Sequence, residues 1–376
     1  MRLDRSNLDL PRLDLVARPA RSRLLEFFAP FLALAAAMLL GGLLVALLGK
    51  SPLQALQVYF IEPLSDSYGL QEIAVKASPL VMIAIGLSFC YRANIWNIGA
   101  EGQFVMGGAV GGWLGIATHD GALQGTLGAS WILPAMLVLG AGAGMLYAMI
   151  PAILRVWLGV SEILTSLMLV YIAQFGLDYL VRGPLRDPKG FNFPVSVTFD
   201  APATLPLLAG GGRLHLGVAI ALAVVIVAAI VMSRSVFGYA VRLVGSAPKA
   251  ARFAGFSDAR LTLAVFAISG GLAGLAGICE VSGQIGQLQP SISPGYGFTA
   301  IIVAFLGRLS PWGILLAGLV LALTYIGGEA AQITMKLPQD MTRAFQGLLL
   351  MCVLAADVLA RYRLVWSRPR ATGRAK

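Results

Sequence analysis

The segment Arg92-Ala-Asn-Ile-Trp-Asn-Ile-Gly-Ala-Glu-Gly-Gln103 separates two apolar runs, residues 73–91 and 104–117. Polar and glycine-rich sequence is unfavourable inside a membrane unless it lines a cavity or packs against protein. The apolar run that follows is also too short to cross about 30 Å of hydrocarbon as a helix. We therefore expect this segment to enter the membrane and to begin a helix there, which is how a polar site is built inside a bilayer.

The composition is that of a membrane protein. The chain has 376 residues, of which 58% are hydrophobic and 12% charged, and its mean hydropathy is +0.80. Soluble domains are about a quarter charged, so an integral membrane protein is indicated. The three cysteines lie in or beside apolar runs. We therefore expect neither a disulfide framework nor a cysteine-rich metal site. We also predict that this chain binds no metal and no cofactor.

Ten apolar runs can be counted along the sequence. They are residues 27–48, 73–91, 104–117, 131–154, 163–181, 214–232, 261–279, 298–307, 312–328 and 344–360. They predict an all-α integral membrane protein with about ten transmembrane helices and both termini in the cytoplasm. The chain then consists of a cytoplasmic N-terminal segment at 1–25, a transmembrane domain at 26–362 and a cytoplasmic basic tail at 363–376.

The formal net charge of +10 follows this predicted topology. Most of the 28 lysines and arginines fall in segments that the topology places in the cytoplasm, as the positive-inside rule expects. The basic charge therefore indicates membrane orientation, and we do not expect a nucleic-acid-binding surface.

A second irregular segment precedes the short apolar run at residues 298–307, because residues 280–297 are rich in polar side chains, proline and glycine. The two halves of the chain, roughly 73–181 and 261–360, would then each contain a broken or short helix near the membrane midplane. Paired elements of this kind point to a substrate site between two related halves. The alternative is that the small residues of these segments serve helix packing alone.

The interior loop at residues 235–257 contains signals for a short helix. Pro248 suits its first turn, Ser246 its N-cap and Gly255 its end. A helix over 249–254 is predicted, lying outside the membrane with small residues on one side and basic residues on the other. Small side chains allow close approach, so we expect a docking helix for a cytoplasmic partner. The alternative is a solvated basic loop.

Enzyme motifs are weak in this chain. Residues 49–51 (Gly-Lys-Ser) resemble the end of a phosphate-binding loop, but Leu44 stands where the first glycine is required. His119 and His215 are predicted at outer helix ends, without a serine or cysteine nucleophile motif beside them. We therefore expect a chain without enzymatic activity.

Three motifs together resemble the permease subunits of ABC importers in the branched-chain amino acid/ribose permease superfamily. They are Asn-Ile-Trp-Asn-Ile-Gly-Ala-Glu-Gly-Gln at 94–103, Gly-Ser-Ala-Pro-Lys-Ala-Ala-Arg-Phe-Ala-Gly at 245–255 and Gly-Phe-Thr-Ala-Ile-Ile-Val-Ala-Phe-Leu-Gly-Arg at 297–308. The first motif is most similar to that of nucleoside-type permeases. It departs from them at Asn-Ile-Trp-Asn, where relatives often carry Gly or Val with Phe.

The resemblance implies the pore subunit of an importer that carries nucleosides into the cytoplasm by alternating access across a bacterial cytoplasmic membrane. It implies a cytoplasmic ABC ATPase, a second and distinct permease subunit and an extracytoplasmic substrate-binding protein as partners, in contact with membrane lipid. The residues that would couple to the ATPase are Gly245, Ser246, Pro248, Lys249, Ala250, Ala251, Arg252 and Gly255. The residues expected along the substrate pathway are Asn94, Trp96, Asn97, Glu101, Gln103, Gln284 and Phe298.

Other functions remain open at this point. A permease of the same class could carry ribose or another simple sugar, which competition of uptake between free ribose and inosine would reveal. A self-contained secondary transporter would depend on ion gradients, although the acids within apolar regions show no relay arrangement. These acids are Glu101, Glu162, Asp178, Glu280, Glu329 and Asp357.

Overall fold

A computed structural model describes residues 12–17, 23–120, 128–208 and 212–367 of the chain. The predicted cytoplasmic segment at 1–25 and the predicted tail at 363–376 lie largely outside these residues. The chain divides into two compact units. Leu53–Gln346 form the larger unit, and Met1–Pro52 together with Gly347–Lys376 form the smaller one.

The smaller unit contains helix α1 (Arg23–Leu47) and a two-stranded antiparallel ladder. Strand β1 (Arg12–Ala17) pairs with strand β2 (Tyr362–Ser367), so that Arg12 lies opposite Ser367. The sequence of β2, Tyr-Arg-Leu-Val-Trp-Ser, is rich in the aromatic and β-branched residues that favour strands. This short ladder was not predicted, because helical apolar runs dominated the sequence pattern.

The remaining helices follow in chain order. They are α2 (Pro52–Leu56), α3 (Ser67–Arg92), α4 (Ala100–Asp120), α5 (Ala129–Leu158), α6 (Glu162–Arg182), α7 (Leu216–Arg234), α8 (Val236–Ser246), α9 (Pro248–Phe253), α10 (Asp258–Glu280), α11 (Tyr296–Leu306), α12 (Pro311–Met335) and α13 (Gln339–Arg361). A π-helical turn continues α2 at Gln57–Ile61, and another continues α10 at Val281–Ile285.

Six helices among the described residues are long and apolar enough to cross a membrane. They are α3, α5, α6, α7, α10 with its π-helical turn, and α12. Each of the ten apolar runs lies in a helix to within a residue or two, so the multi-pass helical architecture is confirmed. The count of ten spans stays a prediction. The short element expected at 298–307 is confirmed by α11, whose 11 residues measure about 16 Å.

Helix α3 is the centre of the larger unit. It packs against α7, α10, α11 and α12, and most of its length is buried. Helices α4, α5 and α10 approach one another through glycines: a Cβ on Gly107 would overlap the backbone of Gly274, and one on Gly144 would overlap Gly270. This packing brings the C-terminus of α3, the N-terminus of α4 and the middle of α10 together.

We call the two ends of the larger unit the basic end and the loop end. At the basic end, the Arg92 Nε at the end of α3 donates to the Leu309 carbonyl between α11 and α12. At the loop end, residues 183–208 lie against residues 282–289, where the Ser196 N–H donates to the Leu288 carbonyl.

Candidate functional site

The polar segment, residues 93–99, joins α3 to α4. Asn94 has a φ of 56°, a left-handed conformation that asparagine tolerates better than most residues and that turns the chain after α3. Ile95 then packs into the interior, and α4 begins at Ala100. The prediction that a helix begins within residues 92–103 is therefore confirmed.

Buried amides close this segment against α10. The Asn97 Nδ2 donates to the Gln103 Oε1 at 2.9 Å, and the Gln103 Nε2 donates back to the Asn97 Oδ1 at 3.1 Å. The Asn97 Nδ2 also donates to the Ser269 hydroxyl at 3.0 Å, and the Gly99 N–H donates to the Asn97 Oδ1 at 3.0 Å. Because buried polar groups need partners, this ring of bonds stabilises the conformation that the segment has in this structure.

Glu101 joins the two irregular elements of the chain. Its side chain is buried, and its Oε2 accepts a hydrogen bond of 2.6 Å from the Gly297 N–H at the start of α11. A Cβ on Gly297 would overlap the backbone of Glu101, so the two helix N-termini touch directly. A carboxylate at this place faces the positive ends of both helix dipoles. The helices that follow the two irregular segments, α4 and α11, therefore meet at this hydrogen bond.

An aromatic cluster lies between the polar segment and α11. The ring of Tyr91 is 5.2 Å from that of Trp96 and is stacked on Phe305 at 5.2 Å. The Tyr91 hydroxyl donates to the Asn97 carbonyl at 3.1 Å, which ties the cluster to the buried amides. Trp96 remains 37% exposed. The cluster thus covers the polar segment on its α11 side.

A polar cavity of about 380 Å³ lies beside the loop end of the larger unit. Its polar lining side chains are Lys76, Glu280, Gln284, Gln289, Ser291, Tyr296, Tyr325, Glu329, Gln332, Thr342 and Arg343. The volume is in the range of about 300–1,000 Å³ that small-molecule sites occupy. A solute of the size of a nucleoside or a monosaccharide fits such a volume.

The charges around this cavity are balanced. The Lys76 Nζ donates to the Tyr296 hydroxyl at 3.2 Å, and that hydroxyl donates to the Glu280 Oε1 at 3.3 Å. The Lys76 Nζ also lies 3.8 Å from the Glu329 Oε1. With Arg343, the described lining holds two cationic and two acidic side chains, so it carries no net formal charge.

The seven predicted pathway residues are distributed over three places. Gln284 lines the cavity. Three are buried at the junction of α3, α4 and α10: Asn97, Glu101 and Gln103. Three are exposed for more than a third of their surface: Asn94, Trp96 and Phe298. Their contact with substrate stays a prediction.

Several cavity residues were not assigned to the pathway from the sequence, namely Lys76, Glu280, Tyr296, Tyr325 and Glu329. The usable signal was a charge inside a membrane-grade helix, since such residues commonly mark a pathway. Lys76 lies within the predicted run 73–91, and it meets its partners across 200 residues of sequence or more. No local sequence motif predicts these contacts.

The helix expected at 249–254 is confirmed by α9, which is followed by Gly255 with a φ of +85°. The predicted N-cap was wrong. Ser246 is the last residue of α8, and its hydroxyl donates to the Arg242 carbonyl at 2.8 Å, while Ala247 precedes α9 without a side-chain cap. The proline at the first position already lacks the N–H that a cap would satisfy.

Residues 236–246 form α8 rather than loop. The Ser235 hydroxyl caps α8 by accepting from the Gly238 N–H at 3.0 Å, and one face of α8 is buried. On α9, Ala251 is buried and Phe253 is 93% exposed. The eight residues expected to couple to an ATPase therefore lie at the end of α8, on α9 and directly after it. Phe253 was not among the predicted residues, because the exposure of its side chain is visible only in the folded structure.

The two histidines have structural partners at the loop end. The His119 Nδ1 lies 2.8 Å from the Asp200 Oδ2. His215 precedes α7, and its Nδ1 accepts from the Gly217 N–H at 3.2 Å. Burial, followed by the nearby positive charge of Arg213, lowers the pKa of His215. His215 is therefore neutral at pH 7, with its proton on Nε2.

One family model and several known proteins are similar to this chain over most of its length. A family model described as "Branched-chain amino acid transport system / permease component" matches residues 69–354. The glucose ABC transporter permease TsgB13 of Haloferax volcanii is 37% identical over 350 residues, which cover 90% of each chain. The guanosine ABC transporter permease NupP of Bacillus subtilis is 28% identical, covering 85% of this chain and 90% of the relative. The nucleoside ABC transporter permease NupB of Lactococcus lactis is 26% identical, covering 80% and 84%.

Proposed function

This chain belongs to the permease-component family of branched-chain amino acid transport systems, and from this premise we propose that it forms the pore of an ATP-driven nucleoside importer. As an ABC transporter permease it is a multi-pass membrane protein, and its family implies an ABC ATPase and a substrate-binding protein as partners. The cargo, the second permease and the orientation of the chain are the parts that we propose.

The observation that carries the cargo proposal is the balanced polar cavity, taken together with two relatives named as nucleoside or guanosine permeases. A nucleoside offers hydroxyls, ring nitrogens and an aromatic face but no charge. The cavity supplies amides at Gln284 and Gln289, and the buried side chains of Tyr296 and Tyr325 border it. Polar groups placed on such a surface are what fixes the orientation of a small ligand.

A simple sugar is the second candidate. The relative with 37% identity is named as a glucose permease, and a polar cavity without net charge suits a sugar as well. The two candidates differ in chemistry, because a nucleoside carries an aromatic base and a simple sugar does not.

The proposed mechanism is alternating access between two states. Both termini and α9 would face the cytoplasm, where α9 docks on the ATPase, and the loop end would face the binding protein. ATP binding closes the ATPase pair, and two distinct permeases rock together. Cargo biases this motion only through its different affinity for the two states. The hydrogen bond between Glu101 and Gly297 joins the N-termini of α4 and α11, so these two helices would move together.

Within this mechanism, the polar segment is proposed to exchange its internal hydrogen bonds for bonds to cargo when the pore changes state. Asn97 and Gln103 are the relevant side chains, with Asn94, Trp96 and Phe298 on the exposed surface. Replacing both Asn97 and Gln103 by alanine should then alter the ranking of cargoes in uptake. An unchanged ranking would remove these two residues from the pathway.

The decisive experiment is purification of the chain from its own host in mild detergent, followed by mass spectrometry of the associated proteins. We expect an ABC ATPase, a second permease and a binding protein. Calorimetric titration of that binding protein with inosine, ribose and glucose then identifies the cargo. Tight binding of inosine supports the proposal, whereas binding of sugars alone establishes the second candidate. Recovery of the folded chain alone, with uptake driven by an ion gradient, would overturn ATP-driven import.

A further inference from the structure

The end of α8 rests directly on the end of α3. A Cβ on Gly245 would overlap the carbonyl oxygen of Arg92, and it would also lie close to the backbone of Ala93. No side chain therefore separates the two backbones at this contact. Because packed backbones move together unless a gap opens between them, a displacement of α8 and α9 is transmitted to residue 92.

Arg92 also contacts the turn between α11 and α12. Its Nε donates to the Leu309 carbonyl at 3.0 Å. Leu309 belongs to the turn between α11 and α12, in which Arg308 and Leu309 have φ values of 54° and 56°. Non-glycine residues rarely adopt this conformation, so the turn depends on its surroundings for its shape. The guanidinium therefore connects the end of α8 to the turn that ends α11.

Arg92 is also the last residue of α3, and the polar segment begins at Ala93. The same residue thus contacts the α8–α9 module through its carbonyl, the α11–α12 turn through its guanidinium, and the polar segment through the chain itself. The turn follows α11, and the polar segment precedes α4. The N-termini of these two helices meet at Gly297 and Glu101.

We propose that Gly245 and Arg92 form a joint that distributes the movement of α9 to both irregular elements, α4 and α11, at the same time. Gly245 acts as a positioning residue, because only a residue without a Cβ lets α8 lie on the α3 carbonyl. The Arg92 guanidinium carries the same movement to α11. The inference rests on the proposed docking of α9 to an ATPase, and it adds how the movement is divided within this chain.

The test is the ratio of substrate uptake to ATP hydrolysis in proteoliposomes that contain the whole purified complex. The variants are Gly245→Ala, which wedges α8 away from α3, and Arg92→Met, which removes the guanidinium and with it the bond to the Leu309 carbonyl. Gly176→Ala is the matched control, because a Cβ at Gly176 on α6 meets open space. Arg92→Lys serves as the conservative variant that keeps a cation and a donor.

We expect both Gly245→Ala and Arg92→Met to retain the ATPase in the complex while the uptake-to-hydrolysis ratio falls at least about fivefold, the lower bound for coupling between sites. Arg92→Lys should recover part of the ratio, and Gly176→Ala should leave it unchanged. An unchanged ratio in Gly245→Ala and Arg92→Met would overturn the joint. A parallel fall of uptake and hydrolysis in both variants would overturn it as well, since the ratio between them would then be unchanged. A wild-type complex without ATP-driven uptake would instead contradict the proposed function.

Discussion

The two irregular segments of the larger unit look alike in sequence but differ in structure. The polar segment at 93–99 is closed, because the amides of Asn97 and Gln103 bond to each other and to Ser269. The segment at 286–295, which precedes α11, borders an open cavity that contains Lys76 and Glu280. The first segment satisfies its polar groups internally, and the second contributes Gln289 and Ser291 to the lining of an accessible volume.

The difference follows from the chemistry of the side chains. An amide carries both donors and an acceptor, so two amides can satisfy each other without water. A lysine has donors alone and an ionised carboxylate acceptors alone, so each needs a partner of the other kind. Lys76 donates to the Tyr296 hydroxyl, which donates to the buried Glu280. Paired amides thus close the junction of α3, α4 and α10, whereas the cavity is lined by charged side chains together with the amides of Gln284 and Gln289.

The strongest disruption of the closed junction should come from Gly297→Ala. The added Cβ would overlap the Glu101 backbone, which cannot move without separating α4 from α11. We expect a loss of about 3 kcal/mol, the upper part of the range for overpacking. Thermal unfolding in detergent measures this, with Gly142→Ala as control because its Cβ meets open space. A melting temperature equal to that of the control would contradict direct contact between the two helix N-termini.

Asn97→Ala should have the next largest effect. It leaves the Gln103 amide and the Ser269 hydroxyl buried without their partner, which costs about 2 kcal/mol. The double variant with Gln103→Ala should be destabilised by less than the sum of the single variants, since the two amides form one unit. Chemical denaturation of the three variants tests this. Strict additivity would show that the amides act independently and that the segment is not closed by their pairing.

Glu329→Gln should change the open site with little change in stability. Glu329 is exposed for more than half of its side-chain surface, so we expect a stability within about 0.5 kcal/mol of wild type. The lining would then carry one net positive charge, and a nucleoside monophosphate should compete with nucleoside uptake several-fold better than in the wild type. Glu62→Gln, at an exposed turn, is the control. Unchanged competition by the monophosphate would indicate that the cavity charges do not contact cargo.

The smallest expected effect concerns His215, which packs beside the π-helical turn that carries Gln284. Its folded pKa lies below the ordinary value of 6.5, so the unfolded chain binds the proton more readily. Its stabilising contribution is therefore complete above pH 6.5 and declines as the pH falls toward the folded pKa. Melting temperatures between pH 7.5 and 5.0 should fall more in the wild type than in His215→Asn, where asparagine keeps the cap. Equal slopes would contradict a buried neutral imidazole.

The helical architecture could be predicted from the sequence because apolar runs and their interruptions are local signals. The start of α4 within residues 92–103 and the short α11 follow from run length and from polar residues at the right places. The helix at α9 follows from proline and glycine at its ends. In each case the physical cause lies within about ten neighbouring residues.

The cavity could not be predicted in the same way. Lys76 and Glu329 come from helices that are distant in sequence, and their 3.8 Å approach depends on how α3 packs against α12. The contact between Gly245 and Arg92 has the same character, because a glycine gives no signal of what it approaches. The N-cap at Ser246 failed for a different reason: α8 continued through the serine and used its hydroxyl for an internal bond.

The pairing of β1 with β2 has a consequence for how the chain is threaded through the bilayer. Antiparallel bonding places Ala17 opposite Tyr362, so the two strands must occupy the same aqueous side. Every crossing that leaves that side between these residues has to be matched by one that returns. We therefore expect an even number of crossings between these strands, which the predicted ten would satisfy. A labelling reagent that reaches one strand from outside the cell must reach the other as well.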